Sequence, residues 1–336
     1  MLLLAALGAC HSPRLKVVEP TELDIAVLAP VKNWAMQLQG LQSETAMRAL
    51  ESASVDMLVI EPIRSQRGLS DFPTARLVTR LQRSEGATLP RKRVIAYLNV
   101  GQAEDYRSYW QPDWRAPTES QPGSPAFLVG LDPDGWVGNY PVAYWRSEWQ
   151  QRLFGQPDAL LDQIVADGFD GAYLDWILAF GDANVIAAAE RDGVDPVTAM
   201  VDLLDEMRRY ARERYPLFAL IAQNGIALYE ADSRLLGCVD ALSQEDVSFR
   251  GLASASWDEP NSGDIASAPS GEWSTDRLCQ RLANVRQQGL PIFTLDYAVK
   301  PDNQVLATTT SRAHGFVPYI SRTPLDRLAE PAAPAR

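Results

Sequence analysis

Eight short apolar segments recur along the chain, and longer amphipathic stretches separate them. Most of these segments are apolar at consecutive positions, whereas a strand with one solvated face alternates apolar and polar residues. Continuous apolar strands are typical of a parallel sheet that helices cover on both faces. We therefore predict eight strands, at residues 33–38, 55–61, 93–100, 171–175, 218–224, 239–245, 291–297 and 315–320.

The number of predicted strands favours a closed (β/α)8 TIM barrel over an open, doubly wound sheet. No glycine-rich phosphate-binding motif follows the first strand, which weakens the dinucleotide-binding alternative. A length of 336 residues suits one large barrel. We predict an α/β protein whose single domain is a barrel at residues 23–325, followed by a disordered tail at 326–336.

The charge and the composition narrow the classes of partner. Acidic residues outnumber basic ones by 43 to 31, which gives a formal net charge of −12. Nucleic-acid binding starts from a clustered basic face, so we expect no nucleic acid and favour a neutral or cationic partner. Two histidines are too few for a multi-histidine metal site. We expect no metal, no cofactor and a monomeric protein.

Polar side chains gather where the predicted strands end, and TIM barrels build their active sites at these ends. Asp175, Asn224, Glu245 and Asp296 are examples, and aromatic residues accompany them. Glycoside cleavage needs one carboxylate as nucleophile or base and a second as acid, while aromatic faces stack on sugar rings. A ring of carboxylates and aromatics without histidine therefore indicates sugar chemistry.

Two long irregular segments depart from a minimal barrel. Residues 111–149 are rich in tryptophan, proline and glycine, and residues 250–274 follow the predicted sixth strand. Long loops on the functional face of a barrel are usually substrate walls or lids. We expect both segments on the catalytic face; surface insertions without a role are the alternative.

The chain opens with the apolar run MLLLAALGAC. A transmembrane helix needs about 20 such residues, so the run resembles the core of a signal peptide. It ends in Leu7-Gly8-Ala9-Cys10, which has the form of a bacterial lipobox, where the cysteine is lipidated. We expect residues 1–22 to be signal and tether, and the only membrane contact to be a lipid on Cys10 in the cell envelope (periplasm or outer membrane). A fortuitous apolar N-terminus is the alternative.

Several strand-end motifs carry a family resemblance. Residues 97–110 and 168–175 resemble the third- and fourth-strand signatures of glycoside hydrolase family 114, the endo-α-1,4-polygalactosaminidases. Shorter matches occur at 34–40, 223–225, Glu245 and 295–298, so the resemblance covers roughly residues 30–322. One departure is Gln102, which stands where relatives often carry a glutamate.

The resemblance implies a TIM barrel that hydrolyses α-1,4-linked galactosamine polymers by an endo-acting, retaining mechanism. In that mechanism Asp175 attacks the anomeric carbon and Glu245 serves as acid and then base. Two close carboxylates repel, so we expect a raised pKa for Glu245, the acid. We predict substrate contacts by residues at or beside the strand ends, namely Gln37, Tyr97, Glu104, Asp170, Tyr173, Asn224, Asp296 and Tyr297.

Each assignment has a structural alternative. Asp175 could cap the helix that follows its strand, and Glu245 could pair with an arginine such as Arg250. Asp170 could be a turn residue and Glu104 part of an ion-pair network, while Asp296 could hold neighbouring tyrosines in place. At the level of function, the alternatives are a catalytically silent polysaccharide-binding lipoprotein and a glycosidase that acts on another bacterial exopolysaccharide.

The lipobox yields a direct prediction. Expression from the native start should give membrane-bound protein, and Cys10→Ala should release it or leave it unprocessed, because the thiol that carries the lipid is gone. Fractionation and gel mobility measure this. A variant that fractionates and migrates like the wild type contradicts the lipoprotein interpretation.

Overall fold

The structure is a computed structural model and describes residues 27–329. The predicted signal and tether at 1–22, with Cys10, lie outside the described residues, as do residues 330–336. Within the described range, no helix is long and apolar enough to cross a membrane.

Eight parallel strands form one sheet, and their order in the sheet follows the chain. Seven predicted apolar segments contain one strand each and the eighth, at 315–320, overlaps the last strand, so the prediction of a (β/α)8 barrel is confirmed. The strands are β1 (Trp34–Gln37), β2 (Met57–Ile60), β3 (Arg93–Asn99), β4 (Gly171–Asp175), β5 (Ala219–Gln223), β6 (Ala241–Glu245), β7 (Ile292–Tyr297) and β8 (Val317–Ser321).

Strands β1 and β8 meet at a seam, where side chains supply the hydrogen bonds between the strands. Among the described residues, backbone hydrogen bonds pair each strand with the next from β1 to β8, but they do not pair β1 with β8. The indole N–H of Trp34 donates to the Val317 carbonyl at 2.9 Å, and the Tyr319 hydroxyl lies 3.5 Å from the Met36 carbonyl. The barrel is therefore nearly closed.

Aromatic side chains fill the barrel below its carboxyl end. The Trp34 ring lies 6.2 Å from the ring of Tyr173, 5.8 Å from that of Phe293 and 5.6 Å from that of Tyr319, measured between centroids. All four side chains are buried. Because packed rings occupy the interior, the open space for a ligand lies above them, at the strand ends.

The helices lie between the strands along the chain. Two of them begin at aspartate caps: Asp182 accepts from the amides of Asn184 and Val185, and Asp195 accepts from that of Thr198. The α-helices of the described residues are α1 (Glu44–Ser52), α2 (Thr74–Gln82), α3 (Ser147–Leu153), α4 (Leu160–Ala166), α5 (Ala183–Asp192), α6 (Pro196–Arg214), α7 (Ile226–Ala231), α8 (Leu235–Cys238), α9 (Thr275–Gln287) and α10 (Pro301–Ala313).

The end of the barrel differs from the prediction. The Asp326 carbonyl accepts a hydrogen bond from the Gln37 amide at 3.0 Å, and the guanidinium of Arg327 lies 5.1 Å from the ring centre of Trp257. The predicted tail is therefore wrong for residues 326–329, which pack on the barrel. Cys238 and Cys279 are both buried free thiols.

Candidate active site

A cavity of about 1050 Å³ opens at the carboxyl ends of the strands. Asp175 at the end of β4 and Glu245 at the end of β6 both line it. Three further predicted residues, Tyr97, Asn224 and Tyr297, line the same space. Five of the ten predicted catalytic and substrate-binding residues therefore share one cavity.

Asp175 has a hydrogen-bond donor at each carboxylate oxygen. The Trp176 amide donates to Oδ1 at 2.7 Å, and the Tyr97 hydroxyl donates to Oδ2 at 2.5 Å. Burial raises the pKa of Asp175 to about 7, and the charge of Glu245 adds to the rise, while the two hydrogen bonds oppose it. Asp175 is not the cap of a helix, since its one backbone donor is the residue directly after it.

Glu245 is held in the same way. The Tyr297 hydroxyl donates to Oε1 at 2.6 Å, and the Gln223 amide donates to Oε2 at 2.5 Å. Burial raises the pKa of Glu245, against the lowering effect of these hydrogen bonds, so the expected direction is confirmed. The ion pairs of the described residues do not include Glu245, and Arg250 is exposed. The site thus holds two carboxyl groups with raised pKa values and neutral partners.

The backbone turns sharply at three neighbouring strand ends. Trp176 follows β4 with φ of 59°, Asn224 follows β5 with φ of 53°, and Asp246 follows β6 with φ of 57°. Asparagine and aspartate tolerate this left-handed conformation, but a bulky residue pays about 1–2 kcal/mol for it. Gly101 makes room for the turn, since a Cβ there would lie 2.1 Å from the Trp176 carbonyl oxygen.

Asp296 does not line the cavity, so the predicted substrate contact is wrong. Its side chain is buried, and Oδ1 accepts from the amides of Ser248 at 2.6 Å and Phe249 at 2.9 Å. Burial raises the pKa of Asp296 to about 6. Asp296 therefore holds the backbone of the segment that follows Glu245 and supports the site from outside the cavity.

Glu104 lies in a buried ion-pair network, as its structural alternative proposed. Its carboxylate pairs with Arg107 at 2.5 Å and accepts from the Tyr106 hydroxyl, and Arg107 also pairs with Glu61. Glu104 is 1% exposed and does not line the cavity. The substrate contact predicted for Glu104 is therefore wrong.

Three other predicted substrate contacts are wrong because the residue lies too far from the cavity or is turned away from it. Asp170 precedes β4, at the opposite end of the barrel, and pairs with Arg91 at 2.8 Å. Tyr173 lies one inward layer below Asp175, and its hydroxyl donates to Ser243 at 2.9 Å. Gln37 is buried, and its amide donates to the Gln39 and Asp326 carbonyls.

Gln102 explains the one departure from the family pattern. Its amide nitrogen donates to Asp132 Oδ2 at 2.5 Å. The other carboxylate oxygen of Asp132 accepts from the amides of Asp134 and Trp136, both at 2.9 Å. Gln102 thereby holds a loop whose residues 133, 134, 136, 137 and 139 line the cavity. A glutamate at position 102 would place a second carboxylate against Asp132.

The two long segments have different relations to the cavity. The first contributes the loop held by Gln102, so its predicted place on the catalytic face is confirmed. The second lies at the same end of the barrel, where the Asp264 amide donates to the Tyr297 carbonyl at 2.9 Å, but residues 250–274 do not line the cavity. Trp176, one of the aromatic residues beside the predicted strand ends, lines the cavity, but sequence reasoning missed the wall formed by residues 177–178 and 323–325.

A (β/α)8 barrel with two carboxyl groups in one cavity at its carboxyl end is an architecture suited to glycoside hydrolysis. The model of glycoside hydrolase family GH114 matches residues 19–333. The chain belongs to this family and is a glycoside hydrolase.

Two relatives match this chain over most of its length. A protein of Deinococcus radiodurans is 30% identical over 98% of this chain and 96% of its own length. A protein of Thermotoga maritima is 26% identical over 88% of this chain and 82% of its own length.

Two solved structures share the fold. Ega3 of Aspergillus fumigatus, in complex with galactosamine, superposes with a TM-score of 0.59 at 16% identity, covering 89% of this chain and 94% of its own. The glycoside hydrolase domain of PelA from Pseudomonas aeruginosa superposes with a TM-score of 0.58 at 18% identity, covering 89% and 97%.

The site makes the stability of the protein depend on pH. Burial raises the pKa of Asp175 to about 7 and that of Asp296 to about 6, from 3.8. The folded protein therefore binds more protons than the unfolded chain above pH 4, and the free energy of unfolding falls as the pH rises towards 7. At pH 8 we expect Asp175→Asn to be more stable than the wild type by roughly 1–4 kcal/mol, since one pKa unit corresponds to about 1.4 kcal/mol.

Urea unfolding at pH 5 and pH 8 measures this effect. At pH 5 Asp175 is protonated in the folded protein, but the same residue is already mostly ionised in the unfolded chain, so the advantage of the variant should be present and clearly smaller than at pH 8. The exposed Asp113 supplies the control, because Asp113→Asn should change stability equally at both pH values. An Asp175→Asn protein that is no more stable than the wild type at pH 8 contradicts the raised pKa.

Proposed function

We propose that this protein is an endo-acting, retaining hydrolase of an α-1,4-linked polysaccharide that contains galactosamine. The composition of the cavity lining carries the proposal. None of the described lining residues is lysine, arginine or histidine, and besides Glu61, which pairs with Arg107, four carboxyl groups line the cavity: Asp134, Asp175, Asp182 and Glu245. Such a lining attracts a polymer that carries ammonium groups.

The family and the size of the cavity support the same substrate. Family membership makes the chain a glycoside hydrolase, and the similar structure of Ega3 is a complex with galactosamine. A volume of about 1050 Å³ is at the upper end of the range for small-ligand sites, which leaves room for several sugar residues. Binding along several residues suits cleavage within a chain.

The hydrogen-bond partners distinguish the roles of the two carboxyl groups. The Trp176 amide can only donate, so it favours an ionised Asp175. The partners of Glu245 can also accept: the Tyr297 hydroxyl has lone pairs, and the Gln223 amide oxygen is buried without a partner among the described residues. With its amide turned over, Gln223 would present its oxygen and accept a hydrogen bond from a protonated Glu245. We assign the proton of the pair to Glu245 and the negative charge to Asp175.

These roles define a two-step reaction. In the first step, Asp175 Oδ attacks the anomeric carbon, the glycosidic C–O bond breaks, and the proton of Glu245 passes to the leaving oxygen. In the second step, Glu245 takes a proton from water, and the resulting hydroxide releases the sugar from Asp175. Tyr97 positions the nucleophile, and Tyr297 and Gln223 position the acid.

Two variants test the assignment. Asp175→Asn should lower kcat on a galactosamine polymer by at least about 1000-fold while polymer binding persists, because the amide keeps the shape but is a very poor nucleophile. Glu245→Gln should impair natural linkages far more than activated aryl glycosides, whose leaving groups need little protonation. Reducing-end release and binding calorimetry measure the two effects.

Exposed residues of the same type serve as controls: Asp113→Asn and Glu119→Gln should keep wild-type rates. Full activity of either site variant would refute the assigned roles. A wild-type protein that binds the polymer and releases no reducing ends would favour the silent binding protein, and release from another exopolysaccharide alone would favour a different specificity.

A further inference from the structure

We propose that a sugar ring of the substrate stacks on the indole of Trp176, beside Asp175. This inference rests on the proposed function, and it makes Trp176 a residue that determines substrate specificity. Trp176 follows directly after β4 and lines the cavity. Its side chain is partly buried and packs against the barrel core. A large aromatic group therefore borders the space where the anomeric carbon must approach Asp175.

The backbone of Trp176 is strained, which points to a role for the indole beyond packing. Its φ of 59° and ψ of 29° are left-handed, a conformation that glycine and asparagine adopt at little cost and a bulky residue does not. At the next strand end, the same turn is made by Asn224. A tryptophan in such a position is an outlier of the kind that clusters at ligand sites.

The surroundings hold Trp176 in this conformation. Its amide donates to Asp175, and its carbonyl accepts from the Ala179 amide at 3.1 Å. On the other side, the carbonyl lies against Gly101, which has no side chain to block it. Relaxation of the turn would break both hydrogen bonds, so the indole stays directed by the same backbone that orients the carboxylate.

The indole can bind a sugar through its face and through its N–H. Among the described residues, no hydrogen-bond partner of its N–H is found, and Trp176 lines the same cavity as Asp175 and Asp182. An indole face packs on the apolar face of a sugar ring and attracts an ammonium group more strongly than other aromatic rings do. The N–H remains free to donate to a sugar hydroxyl.

Variants without the ring should lose much more binding than stability. The indole packs against the core, but relief of the left-handed strain, about 1–2 kcal/mol, offsets part of the packing that is lost, so we expect Trp176→Gly and Trp176→Asn to remain folded at the temperature of the binding experiment. We expect the same variants to bind a galactosamine hexasaccharide at least about tenfold more weakly. Trp176→Phe keeps a ring and should stay within about threefold of the parent.

The experiment is calorimetry of the hexasaccharide with each variant in the Glu245→Gln background, together with thermal unfolding. If Trp176→Phe, which keeps an aromatic face, binds as weakly as Trp176→Gly while both variants are folded, the ring face does not bind the sugar and the proposal is overturned. Unchanged affinity of Trp176→Gly also overturns it. If the Glu245→Gln protein with Trp176 intact binds no galactosamine oligosaccharide, the proposed function fails, and the platform for this sugar fails with it. Equal binding by all variants is a different result: it refutes the platform and leaves the proposed function standing.

Discussion

Two carboxyl groups lie partly buried at the ends of β4 and β6, and in the part of the chain that the structure describes neither forms an ion pair; the chemistry of the site depends on this arrangement. Within residues 27–329, Asp175 and Glu245 receive hydrogen bonds from hydroxyl, amide and backbone groups. Neutral donors offset part of the cost of burial, so both pKa values stay raised. Three buried carboxylates elsewhere in the structure do pair with guanidinium groups: Asp170 with Arg91, Glu104 with Arg107 and Asp240 with Arg212.

Hydrogen bonds from neutral groups favour the charged form of a carboxylate less than an arginine does, so burial leaves the pKa values of Asp175 and Glu245 raised. Asp296, whose partners are backbone amides, also has a raised pKa, so the place of Asp175 and Glu245 in the cavity, and not the pKa alone, marks them as the reactive pair. The barrel contributes the burial, because its packed aromatic interior around Trp34 excludes water from below. The loop held by Gln102 closes one side of the cavity from above.

The sequence predicted the fold and the centre of the site because both follow from local patterns. Continuous apolar runs indicate buried parallel strands, and the last inward residue of a strand enters the cavity, as Asp175, Glu245 and Tyr297 do. Two wrong assignments did not take into account the direction of the strand or the alternation of side chains between its two faces. Asp170 precedes its strand, and Asp296 alternates with the inward-facing Tyr297, so neither reaches the cavity. The contact of Gln102 with Asp132 joins residues 30 positions apart, and the left-handed turn at Trp176 has no signal in its residue type.

The ionisation of Asp175 tests the central claim most directly. In protein labelled with 13C at the aspartate carboxyl carbons, the Asp175 signal can be assigned by its absence from the Asp175→Asn spectrum. The account predicts that this signal titrates near pH 7, and that Tyr97→Phe moves the midpoint to higher pH because the ionised form loses a hydrogen bond. A midpoint near 4, unchanged by Tyr97→Phe, would contradict it.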